Sequence, residues 1–239
     1  MAEASEVRED VDAAAWRRVL AAARSGKVDG LAADASPLAR SFAAYLEAAA
    51  SRPVYLIGQL GQSMDGRIAT HTGDSKYING RSGLRHLHRL RALADAVVVG
   101  VATAIADDPL LDVRFVEGVS PARVVIDPRG RLPATARLLR GDGARRILIV
   151  GLDARPACAD GIEIHRLPLI DGRFALDDLI GLYGDLGFRR VLIEGGSSTI
   201  SGLIAAGRLD RLHLIVAPVI LGSGYPGLSL PPIDRVADA

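Results

Sequence analysis

"VLIEGGSSTISGLIAAG", residues 191–207, holds a strand and a helix joined by two glycines. An apolar run ends at Glu194, Gly195 and Gly196 turn the chain, and Ser197, Ser198 or Thr199 caps the helix that follows. A second apolar run, "RLHLIVAP" (211–218), comes directly after it. Runs of Val, Ile and Leu without polar alternation belong to strands buried on both faces, which means a mostly parallel sheet covered by helices on both sides.

The same alternation extends back to Pro53. "VYLIGQL" (54–60) reads as a strand, "RSGLRHLHRLRALA" (81–94) as a helix, and "AVVVGV" (96–101), "RVVID" (123–127) and "RILIV" (146–150) as strands, with "LDDLIGLYGDLG" (176–187) a helix before the opening unit. The fold class is therefore α/β, three-layered, over residues 53–239. Residues 1–52 read as a helical N-terminal extension. "VDAAAWRRVLAAAR" (11–24) puts Val11, Ala15, Val19 and Ala22 on one helix face that Gly26 ends, and Ser36 caps a second helix with Pro37 in its first turn. These two helices read as an appendage to the main unit.

Of 239 residues, 49 % are hydrophobic, enough for a real core. Lys and Arg number 29 against 28 Asp and Glu, so no global field favours nucleic acid or an anionic membrane, and any anion must be held by local basic residues. Cys158 is the only cysteine, which rules out an internal disulfide and fits a reducing compartment; with no signal-peptide pattern and no membrane-length apolar run, the expected location is the cytoplasm. No HExxH, CxxC or GxSxG occurs, so neither a metal site nor a serine-nucleophile elbow is expected, and His86 and His88 do not share a helix face.

Chemistry concentrates where strands end. The glycine turn before residues 197–202 offers open amides at a helix start, suited to a phosphate or pyrophosphate, although a tight turn alone also needs glycine. Glu194 lies where open α/β sheets bind ligands. "VVVGVATAIADDPLLDVR" (97–114) repeats the geometry: a helix begun near Thr103 brings Asp107 to the same face one turn later. In "VVIDPRGRLP" (124–133), Arg129 or Arg131 suits a 2′-phosphate, or else forms a solvated basic loop. "GQSMDGRIATHTGDSKY" (61–77) contains an Asp65-Gly66 turn signal.

Together, "SMDGRIA", "GDSKYING", "LRALADAVVVGVATAIADDPLLDVR", "VVIDPRGRLP" and "VLIEGGSSTISGLIAAGRLDRLHLIVAPVILG" resemble, in order and spacing, the riboflavin-biosynthesis pyrimidine reductase family over roughly residues 53 to 230. The resemblance implies a dihydrofolate-reductase-like fold, a homodimer, and NADPH-dependent reduction of the ribosyl group of an aminopyrimidine ribose phosphate to ribityl. It implies that Gly61, Tyr77, Thr103, Asp107, Pro128 and the turn of Gly196, Ser197, Ser198, Thr199 and Gly202 contact NADPH. Ser75, Arg91, Leu111, Arg114 and Glu194 would hold the ribose phosphate, and Asp107 or Glu194 would relay a proton.

Three departures stand out. Gln59 replaces the lysine many relatives carry, which removes a positive charge; Tyr77 replaces a tryptophan; and "PPIDRVADA" stands where relatives continue into a β-hairpin. Residues 1–52 contain no His or Cys, so the zinc deaminase of bifunctional relatives is not expected there. Gln59 keeps open a pterin- or dihydrofolate-like substrate, and a non-catalytic nucleotide-binding module is the reading from another class.

Overall fold

The structure, a computed structural model, describes residues 2–75, 78–157 and 160–238. Tyr77 thus lies outside the described residues. Three helices come first: α1 (Ala2–Ser25), α2 (Asp29–Ala32) and α3 (Pro37–Ala50). Gly26, at φ 73°, ends α1, and Pro37 stands in the first turn of α3, as their residue types predict; Ser36 holds the N-cap position, but its side chain makes no capping hydrogen bond among the described residues.

Strands and helices then alternate: β1 (Tyr55–Ser63), β2 (Arg67–Ala69), α4 (Gly80–Leu93), β3 (Ala96–Gly100), α5 (Val101–Asp107), β4 (Ala122–Ile126), β5 (Arg146–Gly151), β6 (Glu163–Leu167), α6 (Leu176–Asp185), β7 (Arg190–Glu194), α7 (Ser197–Ala205), β8 (Arg211–Ala217) and β9 (Tyr225–Pro226). Seven strands form one sheet in the order β6-β5-β4-β3-β7-β1-β8, and every pair in it is parallel. β2 and β9 make a small antiparallel pair.

The sheet is buried on both faces, as the unbroken apolar runs require. On one face Ile57, Val97, Val99, Val125, Leu148 and Leu192 pack with α4; on the other Leu56, Val98, Val124, Ile149, Val191 and Ile193 pack with α6 and α7. The three-layer α/β expectation holds.

Two details differ from it. The N-terminal helices are no appendage: Trp16, Val19, Phe42, Tyr45 and Leu46 belong to the same cluster as Ile57, Leu90 and Val97. The Trp16 indole N–H donates to the Glu117 carbonyl at 2.7 Å, tying α1 to the loop after α5. Pro53 marks a change of pattern in the chain and no gap in the core. The second difference is β6, whose "EIHRL" alternates half-buried and exposed residues because it is an edge strand covered on one face only. β8 is the other edge, with Leu214 and Val216 exposed. An apolar run identifies a strand, but the crossovers decide which strand lies outermost.

Because the seven strands run parallel, Gly61, Gly100, Ile126, Gly151, Leu167 and Glu194 all lie toward one edge of the sheet, where ligands bind in this class of fold.

Candidate active site

A cavity of 1220 Å³ opens at that edge, lined from β1, α4, α5, β7, α7 and the loops that follow β2, β6 and β8. Its floor near β7 is a charge pair. Arg91, in the last turn of α4, donates from Nε and Nη2 to the two carboxylate oxygens of Glu194 at 2.6 and 2.7 Å, and from Nη1 to the Asp112 carbonyl at 3.0 Å. Both side chains are nearly buried, at 7 % and 8 % exposure. Burial disfavours the Arg91 cation, but the adjacent carboxylate outweighs that and raises its pKa above the ordinary value.

Asp112 is itself fixed by Arg114 and by Arg140, the latter at 2.9 Å, and these guanidinium groups hold its carboxyl below the usual range against the effect of burial. A chain of contacts therefore runs from Arg114 and Arg140 through Asp112 and Arg91 to Glu194.

Beside Glu194 the backbone turns through Gly195 (φ 71°) and Gly196 (φ 69°), and Gly196 is the N-cap of α7. A Cβ on Gly195 would meet Thr103 Cγ2 at 2.8 Å, so the turn and α5 touch at this point. The site has a cradle that side chains would fill, facing the start of a nine-residue helix whose first amides have no intrahelical acceptor. This cradle and the amides suit a pyrophosphate.

On the opposite wall Asn79 is wedged between Gly61 and Gly83. A Cβ on Gly61 would collide with its carboxamide, and its buried Oδ1 has no hydrogen-bond partner among the described residues. The loop that carries this wall is held by Asp65. Its carboxylate accepts from the Ser63 hydroxyl at 2.6 Å and from the Leu221 and Gly222 amides at 3.1 and 2.7 Å, which depresses its pKa to about 2.

The RibD C-terminal domain model matches residues 54–234. The chain belongs to that family. It is 35 % identical over 193 residues to the 2,5-diamino-6-ribosylamino-4(3H)-pyrimidinone 5′-phosphate reductase of Methanothermobacter thermautotrophicus, covering 77 % of this chain and 88 % of that protein. To the riboflavin biosynthesis protein RibD of Aquifex aeolicus it is 34 % identical over 174 residues, 71 % of this chain and 48 % of the relative. The chain thus spans about half the length of that RibD protein. Among solved structures, form 1 of Acinetobacter baumannii RibD superposes with a TM-score of 0.68 at 28 % identity, covering 84 % of this chain and 58 % of the other.

In this RibD C-terminal domain the residues singled out from sequence divide into two groups. Gly61, Ser75, Arg91, Thr103, Asp107, Leu111, Glu194, Gly196, Ser197, Ser198 and Gly202 all line the cavity. Thr199 stands behind the lining, with its Oγ1 3.4 Å from where a Gly196 Cβ would be. Pro128 and Arg114 do not line it, nor do Arg129 and Arg131.

Of the two arginines that the resemblance assigns to the ribose phosphate, each guanidinium meets a carboxylate of the chain itself, Arg91 with Glu194 and Arg114 with Asp112. A guanidinium binds carboxylate and phosphate in the same bidentate way, so residue type alone does not say which it meets. Sequence reasoning missed Asp112, Asn79 and Arg173. Asn79 had a local signal, since it stands before the Gly80 that starts α4; Arg173, a lone Arg after "LPLIDG", had none. Among the described residues no helix is long and apolar enough to span a membrane.

Proposed function

We propose that the chain is an NADPH-dependent reductase that converts the ribosyl group of a 5-amino-6-(ribosylamino)pyrimidine 5′-phosphate to ribityl, a reading supported by the family resemblance and by the similarity to the Methanothermobacter 2,5-diamino-6-ribosylamino-4(3H)-pyrimidinone 5′-phosphate reductase. The observation that carries this reading is one cavity holding both the Gly195-Gly196 cradle and the Arg91–Glu194 pair.

The residues present fit a dinucleotide: Gly196, Ser197 and Ser198 at the start of α7 take the pyrophosphate, with Thr103 against the turn. When bound, NADPH supplies a hydride. The chain's part is mostly placement, because hydride transfer depends on approach and alignment more than on a nucleophile. Glu194, with both oxygens fixed by Arg91, accepts hydrogen bonds from sugar hydroxyls or pyrimidine amines. Carrying an acid proton would disrupt that bidentate pair, so Asp107, which lines the same cavity from α5, is the proposed proton carrier. Ser75 and Leu111 complete the substrate wall, and Gln59, buried beside Glu194 in the β1–β7 register, presents a neutral amide.

The family resemblance adds a homodimer, to be checked by light scattering, and the single cysteine keeps the cytoplasm as the proposed location. The activity is tested by mixing the purified chain with NADPH and either the diamino or the deaminated pyrimidine ribose phosphate. Loss of absorbance at the reduced-nicotinamide band with one of them is expected, with dihydrofolate as the control; oxidation with dihydrofolate alone would overturn the reading.

A further inference from the structure

A cavity that takes a dinucleotide and a ribose phosphate must meet several anionic groups. Among its described lining residues only two are basic, Arg91 and Arg173. Arg91 is neutralised by Glu194. Arg173 is exposed and makes no side-chain hydrogen bond or ion pair with the described residues. Asp177, four residues on, is instead paired with Arg208.

The base of Arg173 is fixed. Ile170 and Arg173 exchange both backbone hydrogen bonds, at 2.8 and 3.0 Å, around a two-residue turn with Asp171 at φ 52° and Gly172 at φ 75°. The next residue, Phe174, is buried in the core under α6. A tight turn on one side and a core aromatic on the other fix the backbone from which the guanidinium extends.

Topology gives its partner. Arg173 follows β6, four inter-strand steps from β7, or roughly 19 Å at ~4.8 Å per step. Glu194 ends β7, and Ser75 and Asn79 stand on the loop after β2, Asn79 against Gly61 of the neighbouring β1, at the other end of the cavity. With the pyrophosphate at the start of α7 and the reacting ring beside Glu194, the adenosine half of the cofactor extends toward β4–β6. We infer that Arg173 binds the 2′-phosphate of that adenosine and so sets the preference for NADPH over NADH. Arg129 and Arg131 do not take this part, because their loop does not line the cavity.

The inference rests on the NADPH reading above, and direct binding separates the two. Calorimetric titration of the whole chain with adenosine 2′,5′-bisphosphate and with 5′-AMP is expected to show tighter binding of the former. Arg173→Ala should weaken it by about 10- to 100-fold while leaving 5′-AMP unchanged, the range expected for charge-assisted hydrogen bonds. Arg173→Lys should fall between, as a point charge without the planar fork. Equal loss for both nucleotides would overturn the assignment, as would weakened binding of ribose 5-phosphate with the bisphosphate unaffected. If the unaltered chain oxidises NADPH with the pyrimidine substrate and Arg173→Ala binds the bisphosphate normally, only this inference falls. If the unaltered chain binds neither nucleotide, the NADPH reading falls with it.

Discussion

At the scale of single residues, the site depends on one buried pair. Breaking it leaves a charge without its partner in a nearly dry place, and Arg91→Met is expected to cost about 3–5 kcal/mol of stability, measured by denaturant unfolding. Glu194→Gln should cost less, because the amide retains an acceptor for Arg91. Gly196 offers a second test. Its φ of 69° lies in the left-handed region, which a β-branched residue adopts only with strain, and a Cβ there would sit in contact with Thr199 Oγ1 at 3.4 Å and Thr103 Oγ1 at 3.5 Å. Gly196→Val should weaken NADP⁺ about 10-fold, by blocking one or two amide contacts of about 1 kcal/mol each, with ribose 5-phosphate affinity unchanged. Glu194 and Gly196 were legible in the sequence because a strand end, a glycine turn and a helix start are adjacent in the chain. The partner of Arg91 was not, since 103 residues separate it from Glu194. The Arg114–Asp112 pair spans only two residues, yet nothing in "LLDVR" says that the carboxylate turns back to the arginine rather than out to solvent.

At the scale of elements, the turn from β1 to β2 is held to the segment after β8 by a single carboxylate. Asp65 has a folded pKa of about 2, below the ~3.9 of an unfolded aspartate. Its stabilising effect is thus complete above pH ~5 and is lost as pH falls through ~3.9 toward the folded value of about 2, with both states protonated only below that. Asp65→Asn should remove this part of the acid sensitivity and loosen the wall that carries Ser75 and Asn79. The readout is the pH dependence of the unfolding midpoint between pH 2 and 5, which should be flatter in the variant. The Asp65-Gly66 dipeptide announced a turn; only the packing of β8 against β1 supplied the Leu221 and Gly222 amides that make the carboxylate a clamp. β6 shows the converse, an edge strand whose short alternating "EIHRL" lacks the apolar run that betrayed the central strands.

At the scale of the whole molecule, residues before Pro53 complete the core. Trp16 is 3 % exposed, packs edge-on to Phe42 at 5.6 Å and lies under Arg89 at 5.8 Å. Trp16→Ala is expected to destabilise the entire chain by about 3–5 kcal/mol in one cooperative transition. A separate early transition with the main unfolding unshifted would restore the appendage reading. The alternation of strand and helix, the mostly parallel sheet, the glycine turn, and the places of Glu194 at a strand end and Gly196 before a helix were determined by sequence alone, because each depends on periodicity and turn chemistry within a few residues. The tertiary structure decided which charges meet: Arg91 with Glu194, Arg114 with Asp112, and Arg173 in the cavity without a charged partner among the described residues. Electrostatic pairing depends on distance in space, and the crossovers that order the sheet bring together residues the chain keeps a hundred positions apart.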